Sequence, residues 1–189
     1  MLQVSPVRAF SDNYIWLIHA PADPSAVVAV DPGDARPVEA ELARRGLSLR
    51  AILLTHHHGD HVGGVRELTA AHGVPVWGPA REDLACEAQP LDEGDVVHLE
   101  QLGLEFDVMA VPGHTLGHIA YRGHGALFSG DTLFKQSIGR SDLWGGDGAQ
   151  LVRSIRERLF TLQDDTEVFP GHGPKTLIGV EKRSNPFLI

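Results

Sequence analysis

The residues best suited to chemistry crowd into one stretch, Thr55-His56-His57-His58-Gly59-Asp60-His61. It follows the apolar run 51–54, which reads as a short buried strand, and precedes a pattern that reads as a helix. Alternate side chains of an extended segment point the same way. His56, His58 and Asp60 are therefore expected on one side, with His61 where the chain turns into the helix. Imidazole nitrogens mixed with a carboxylate suit zinc and neighbouring transition metals. No cysteine competes as a ligand: the single cysteine, Cys86, has no motif around it and reads as structural.

Three later positions extend the set. His114 sits in Pro112-Gly113-His114-Thr115-Leu116-Gly117-His118, Asp131 in Gly130-Asp131-Thr132, and His172 in Pro170-Gly171-His172-Gly173-Pro174. Each lies just past a strand-like run with glycine beside it, where backbones can approach closely. Alone, Asp131 would pass for a turn residue and each histidine for an ordinary loop residue. Beside the first cluster they read as metal ligands. His57, between ligands, is expected to point away. His118 is expected to orient a ligand or substrate from behind. His19, His72, His98 and His124 have no partner motif and read as surface or satisfied structural histidines.

The elements that must hold these residues alternate between strand and helix. Residues 2–7, 14–19 and 27–30 read as strands, the last stopped by Asp31-Pro32-Gly33. Residues 37–45 read as a helix, with Pro37 near its first turn and Gly46 at its end. A helix over 62–72 ends at Gly73, a strand follows at 74–77, and 79–94 reads as loop. In the second half, strands are expected at 96–99, 104–110, 119–122, 126–128 and 167–169. A Gly-rich loop spans 135–147 and a helix 151–160, with a short helix after Thr176. The echo of Val111-Pro112-Gly113-His114 in Phe169-Pro170-Gly171-His172 fits an α/β fold of two similar halves packed sheet to sheet.

Composition narrows the partners. A chain of 189 residues, 42% hydrophobic and 22% charged, is expected to form one domain over 1–189. A formal net charge of -9 argues against a broad nucleic-acid footprint. One cysteine permits no intramolecular disulfide. The first residues carry no basic segment followed by an apolar run, and no apolar stretch approaches a membrane span. The expectation is a cytoplasmic protein with neither a membrane nor a nucleic-acid partner. Histidine, at 11 of 189 residues, is the unusual number, and most of it falls in the motifs above.

The ordered set His56-x-His58-x-Asp60-His61, His114, Asp131 and His172, with the early Asp31, resembles the metallo-β-lactamase superfamily along essentially the whole chain. The resemblance implies a four-layer αββα sandwich with metals between the inner sheet edges. It implies that His56, His58 and His114 hold one divalent ion and Asp60, His61 and His172 a second, with Asp131 bridging. Zinc is the simplest choice, with iron or manganese as substitutes. Two divalent ions less Asp60, Asp131 and a hydroxide leave about one positive charge, in a site that brings the pKa of bound water towards neutrality.

Within the superfamily, Phe10-Ser11-Asp12-Asn13-Tyr14-Ile15-Trp16 resembles the start of hydroxyacylglutathione hydrolases, the type II glyoxalases. The segments Gly130-Asp131-Thr132-Leu133-Phe134 and Ser137-Ile138-Gly139-Arg140-Ser141-Asp142, and the tail to Asn185-Pro186-Phe187-Leu188, look like a short branch of that group. Full-length members carry a C-terminal helical region that helps clamp glutathione, and the sequence has no counterpart to it. Arg140 falls where longer members place a basic residue near the glutathione carboxylate, and is the expected substrate contact. The implied reaction is hydrolysis of a small-molecule thioester such as S-lactoylglutathione to a hydroxy acid and a free thiol, through a metal-bridging hydroxide that Asp60 helps orient as catalytic residue. The alternative is a mononuclear iron persulfide dioxygenase using His56, His114 and Asp131. A β-lactamase fits less well, because Asp131 stands where those enzymes usually lack a bridging aspartate. A purely structural zinc module fits less well too, such sites being closed and cysteine-rich.

Overall fold

The computed structural model describes residues 2–189. Its first sheet contains β1 (Val4–Ala9), β2 (Asn13–Ala20), β3 (Asp23–Val30), β4 (Ser48–Leu53), β5 (Val76–Pro79) and β6 (Gln89–Leu91), side by side in that order. The second contains β7 (Val96–Leu99), β8 (Leu104–Ala110), β9 (Ile119–Gly123), β10 (Ala126–Gly130), β13 (Glu167–Pro170) and β14 (Thr176–Leu177), also as neighbours in that order. A small hairpin of β11 (Leu133–Phe134) and β12 (Ser137–Ile138) leaves the end of β10. The helices are α1 (Ala35–Arg45), α2 (Gly59–Val62), α3 (Val65–His72), α4 (Gly148–Glu157) and α5 (Ile178–Ser184). Parallel pairing joins β3 to β4, β4 to β5, β5 to β6 and β10 to β13, which requires crossovers; α1, α3 and α4 lie in three of them.

Side-chain alternation builds the layers. Along β2, Trp16 and Ile18 face the second sheet, where they join Phe106, Tyr121, Phe128 and Phe169. Ile15 and Leu17 face the other way, onto a cluster with Val38 and Leu42 of α1 and Val65 and Leu68 of α3. Ala120, Leu127 and Val168 of the second sheet turn outward onto Leu151 and Ile155 of α4 and Ile178 of α5. The result is helix, sheet, sheet, helix, the expected αββα sandwich. No helix is long and apolar enough to cross a membrane among the described residues.

The departures from expectation have local causes. The helix expected over 62–72 starts at Val65, because Val62 ends α2 and Gly63 packs into the turn after β3: a Cβ there would lie 2.7 Å from the carbonyl oxygens of Gly33 and Gly59. β6 lies within the stretch expected as loop; it is an edge strand of three residues, where Pro90 is tolerated. β11 precedes the expected 135–147 loop, and the hairpin turn and β12 occupy its start. Asp147 caps α4, its side chain accepting from the Gln150 amide, so that helix begins before residue 151.

Candidate metal centre

All the motif residues sit at one end of the sandwich. They follow β4, β8, β10 and β13, and Asp31 follows β3. Backbone hydrogen bonds stitch these ends together: Ile119 donates to Thr55 at 3.0 Å, Gly171 to Gly130 at 2.9 Å, and Tyr14 to Gly171 at 2.9 Å. Gly171 lies so close to the Asp131 carboxylate that a Cβ would collide with Oδ1, and it would also stand 2.6 Å from Cε1 of His61. Only glycine lets β13 pass there.

One lobe of the site is all imidazole. His58 Nδ1 lies 3.1 Å from His56 Nε2 and 3.0 Å from His114 Nε2. The other lobe joins Asp60, His61 and His172. Asp60 Oδ2 lies 3.3 Å from Nε2 of both His61 and His172. Asp131 stands between the lobes, its Oδ2 3.5 Å from His114 Nε2 and 3.3 Å from His172 Nε2, its Oδ1 3.4 Å from His61 Nε2. Asp60 does not share a side with His56 and His58 as strand alternation predicts. The chain is already helical from Gly59, with His58 as the residue before the first turn, so Asp60 turns toward His61 and His172.

The outer nitrogen of most of these rings is held by a fixed oxygen. Thr55 Oγ1 donates to Asp31 Oδ2 at 2.7 Å and therefore accepts from His56 Nδ1 at 3.0 Å. Asp31 Oδ2 also accepts from His61 Nδ1 at 3.1 Å, while its Oδ1 accepts from the Thr55 amide at 2.8 Å. The Arg140 carbonyl accepts from His114 Nδ1 at 2.6 Å, and Asp12 Oδ1 from His172 Nδ1 at 3.1 Å. Asn13 donates to Asp60 Oδ2 at 2.8 Å. With one proton committed outside, the inner Nε2 of each such ring is the position left to offer a lone pair to a metal ion in place of a second proton.

Inward lone pairs converging on two points call for cations. His61 Nε2 and Asp131 Oδ1 are buried and have no hydrogen-bond partner among the described residues. Burial, then the neighbouring imidazoles, push His56 and His118 well down, so they are neutral. Burial and His114 push His58 down as well. In the second lobe burial acts against charge and loses: Asp131 and its neighbours hold His61 well up, and hydrogen bonds to Asp131 and Asp60 push His172 up to about 10. Asp60 and Asp131 are held below the carboxylate range despite burial, by those same histidines. Protons here meet an electrostatic demand that a divalent ion meets too. The donor groups His56, His58, His114 and Asp60, His61, His172 each gather one ligand atom per residue within 4.8 Å. Both fit a divalent cation by donor type.

The remaining histidines lie outside the two donor lobes. His57 points away and pairs with Glu82. His118 accepts the Asp131 amide at 3.0 Å through Nε2 and stacks on His56 with centroids 4.9 Å apart, so it positions both. His72 pairs with Glu39 and His98 with Glu105, His19 bonds Ser5, and His124 accepts the Glu105 amide. Sequence reasoning gave no role to Thr55, Asp12, Asn13 or Glu82. The first three adjoin recognised motifs; Glu82 had no signal.

A cavity of about 470 Å³ opens over Asp131 and His172, walled by Phe134, Ile138, Lys135 and Arg140. Arg140 is on that wall, but its guanidinium is engaged with Asp142, at 2.8 Å to each carboxylate oxygen. Lys135 has no ion-pair partner among the described residues. A larger cavity, about 1120 Å³, lies between α3 and residues 84–90 with Cys86 in its wall. It contains no cluster of metal-ligating side chains, so donor chemistry, not volume, locates the site. Burial raises the Cys86 thiol, which makes it a poor nucleophile.

Comparison with known proteins agrees with this geometry. Residues 10–172 match the family described as "Metallo-beta-lactamase superfamily". A hydroxyacylglutathione hydrolase of Nitrosomonas eutropha is 45% identical over 172 residues, which cover 91% of this chain and 65% of the relative. The chain thus spans about two thirds of that relative's length. Among solved structures, ETHE1 from Myxococcus xanthus superposes with a TM-score of 0.87 at 33% identity, covering 100% of this chain and 84% of that one. The protein TTHA1623, in a di-iron-bound form, superposes with a TM-score of 0.83 at 37% identity, covering 97% and 100%.

Proposed function

We propose that this chain, which belongs to the metallo-beta-lactamase superfamily, is a binuclear metal-dependent hydrolase of glutathione thioesters such as S-lactoylglutathione. The observation that carries the reading is the pair of donor lobes flanking Asp131, with the histidine protons committed to outer acceptors. The substrate class rests on the similarity to a hydroxyacylglutathione hydrolase. The di-iron form of a relative supports two ions and admits iron beside zinc, and the same nitrogen and carboxylate donors admit manganese. In this reading His56, His58 and His114 would hold one ion and Asp60, His61 and His172 the other, with Asp131 available to both.

Two divalent ions would supply an acidified water and a Lewis acid for the thioester carbonyl. The chain's own part is orientation. Asp60, fixed by Asn13, accepts a hydrogen bond from the attacking water and aims its lone pair at the acyl carbon. The new carbon–oxygen bond forms as the water loses its protons to solvent, the carbon–sulfur bond breaks, and the acyl group leaves as carboxylate and sulfur as thiolate. A thiol pKa near about 8.5 removes the need for a dedicated acid. His118 keeps Asp131 in place through its amide. Phe134 and Ile138 offer an apolar wall to the acyl thioester, and Arg140 and Lys135 offer cations to its carboxylates. Arg140 must share or release Asp142 to do so. Both sheets contribute to the site, which supports residues 1–189 as one domain, and a lone free cysteine suits the reducing cytoplasm.

The test is metal analysis of the purified chain beside two assays. About two ions per chain are expected, with loss of S-lactoylglutathione absorbance and no oxygen consumption. Stoichiometric oxygen uptake with glutathione persulfide, without thioester hydrolysis, would transfer the assignment to a mononuclear iron dioxygenase on His56, His114 and Asp131.

A further inference from the structure

We propose that Glu82 is a positioning residue for the three-histidine lobe: it clamps the two loops that carry His56, His58 and His114, and thereby sets that lobe's affinity for its cation. The Glu82 side chain is 2% exposed, and buried carboxylates are rare unless paired. No lysine or arginine pairs with it among the described residues. Its oxygens are instead spent on the two loops. Oε1 accepts from Thr115 Oγ1 at 2.6 Å and from the Gly117 amide at 2.7 Å. Oε2 accepts from His57 Nδ1.

The partners are placed tellingly. His57 lies between His56 and His58, so holding it fixes the backbone of both. Thr115 follows His114, and Gly117 lies in the same loop. The approach is tight: a Cβ on Gly117 would lie 2.6 Å from the Arg81 carbonyl oxygen. Residues 81–88 have no regular structure, and besides Glu82 they are held by the Arg81–Asp92 pair and by Leu84, Cys86 and Ala88 against the core. The carboxylate therefore ties the loop after β4 to the loop after β8 through side chains, beside the backbone bond from Ile119 to Thr55. The second lobe is held by other groups, namely Asp31, Asp12 and Asn13. Loss of Glu82 should loosen one lobe and spare the other.

The inference rests on the metal reading above, and its test needs no turnover. Zinc-loaded full-length chains are challenged with a chromophoric chelator. His172→Ala and His114→Ala serve as reference variants that each disable one lobe. In the His172→Ala background, Glu82→Gln should weaken zinc binding about 10- to 100-fold, the usual loss for a group that orients ligands from behind. In the His114→Ala background it should change affinity by no more than about twofold, the limit for uncoupled sites. Circular dichroism of each metal-free variant reports folding. If Glu82→Gln does not fold, Thr115→Val removes one of the bonds at nearly constant shape, and a severalfold loss in the same lobe is expected. Equal losses in both backgrounds, or none in either, would overturn the proposal. A parent chain that binds no zinc would overturn the metal reading and the proposal with it.

Discussion

The two lobes around Asp131 gather cation-binding groups by opposite routes. The lobe of His56, His58 and His114 offers imidazole nitrogens only, with His56 and His58 pushed down by burial first, then by His61 at His56 and by His114 at His58. The lobe of Asp60, His61 and His172 contains a carboxylate, and its histidines are pushed up by the acids they face. The first lobe needs its rings aimed, since neutral donors have no long-range pull. The second has charge to attract a cation and needs its acids kept from pairing elsewhere. Their supports differ accordingly. Loops clamped at Thr115, Gly117 and His57 frame the first lobe. Direct contacts from Asp31, Asp12 and Asn13 hold the second.

Asp131 is where the comparison should break most completely. It approaches both lobes, so Asp131→Ala should lower metal content in each and reduce kcat/KM by more than about a hundredfold, beyond the loss typical of outer partners. Metal analysis with thioester kinetics checks this. A variant that kept two tightly held ions and full activity would show that the lobes work independently of a bridge.

Asp31 and Asp12 sharpen the contrast between buried and exposed support. Asp31 is 4% exposed and serves Thr55 twice as well as His61, so it reaches His56 and His61 together. Asp31→Ala should weaken zinc about 10- to 100-fold. Asp12 is 65% exposed and serves His172 alone. Asp12→Ala should lose less than about fivefold, the equivalent of an exposed pair worth up to about 1 kcal/mol. Chelator competition on both variants reads the ratio; equal losses would mean that burial is not what makes an orienting carboxylate count.

What could be read from the residues follows from how chemistry constrains type and spacing. Without a cysteine in the motifs, candidate donors must be histidine or carboxylate, so the candidate donors around Asp131 stood out by residue type, as did the layering from alternating apolar runs. Directions were less visible. Asp60 looked like a neighbour of His56 and His58 because the start of a helix at Gly59 depends on packing, not on the motif. Glu82 was invisible because its partners are 25 to 35 residues away and its own segment has no periodicity. Arg140 was picked for its guanidinium, yet the structure gives a role to its carbonyl, a group that every residue carries. The split at Gly63 depends on a contact with Gly33, which no local pattern contains.

The cavity wall tests whether substrate binding is as divided as metal binding. Lys135→Met should raise KM for a glutathione thioester about tenfold, within the range of a charge-assisted hydrogen bond, with kcat little changed. Arg140→Ala should raise it less, because Asp142 already competes for the guanidinium. An uncharged thioester should respond to neither. Equal effects on charged and uncharged substrates would make both residues structural, and a larger effect at Arg140 would reverse their order.

His19 provides the smallest expected effect and a control outside both lobes. It lies on β2, is 6% exposed, and shares the Ser5 hydroxyl with Arg45. The hydroxyl accepts from Arg45 at 2.8 Å, so its own proton is directed to His19 Nε2 at 2.7 Å, which requires a neutral ring there. Protonation would set two donors against one oxygen and a second cation near Arg45. Burial, with Arg45 adding to it, accordingly lowers the His19 pKa from its ordinary 6.5. The unfolded chain then binds the proton more readily than the folded one, so this contribution is present above about pH 6.5 and is lost as pH falls towards the lower folded value. Metal ligands also titrate in acid, so the measurement is a difference: Tm of the parent minus Tm of His19→Gln, followed from pH 8 down to 5. That difference should shrink on acidification by no more than about 2–4 °C for a chain of this size. It should be the same with and without bound zinc, since distant sites add. A zinc-dependent difference would tie His19 to the site and end its use as a control.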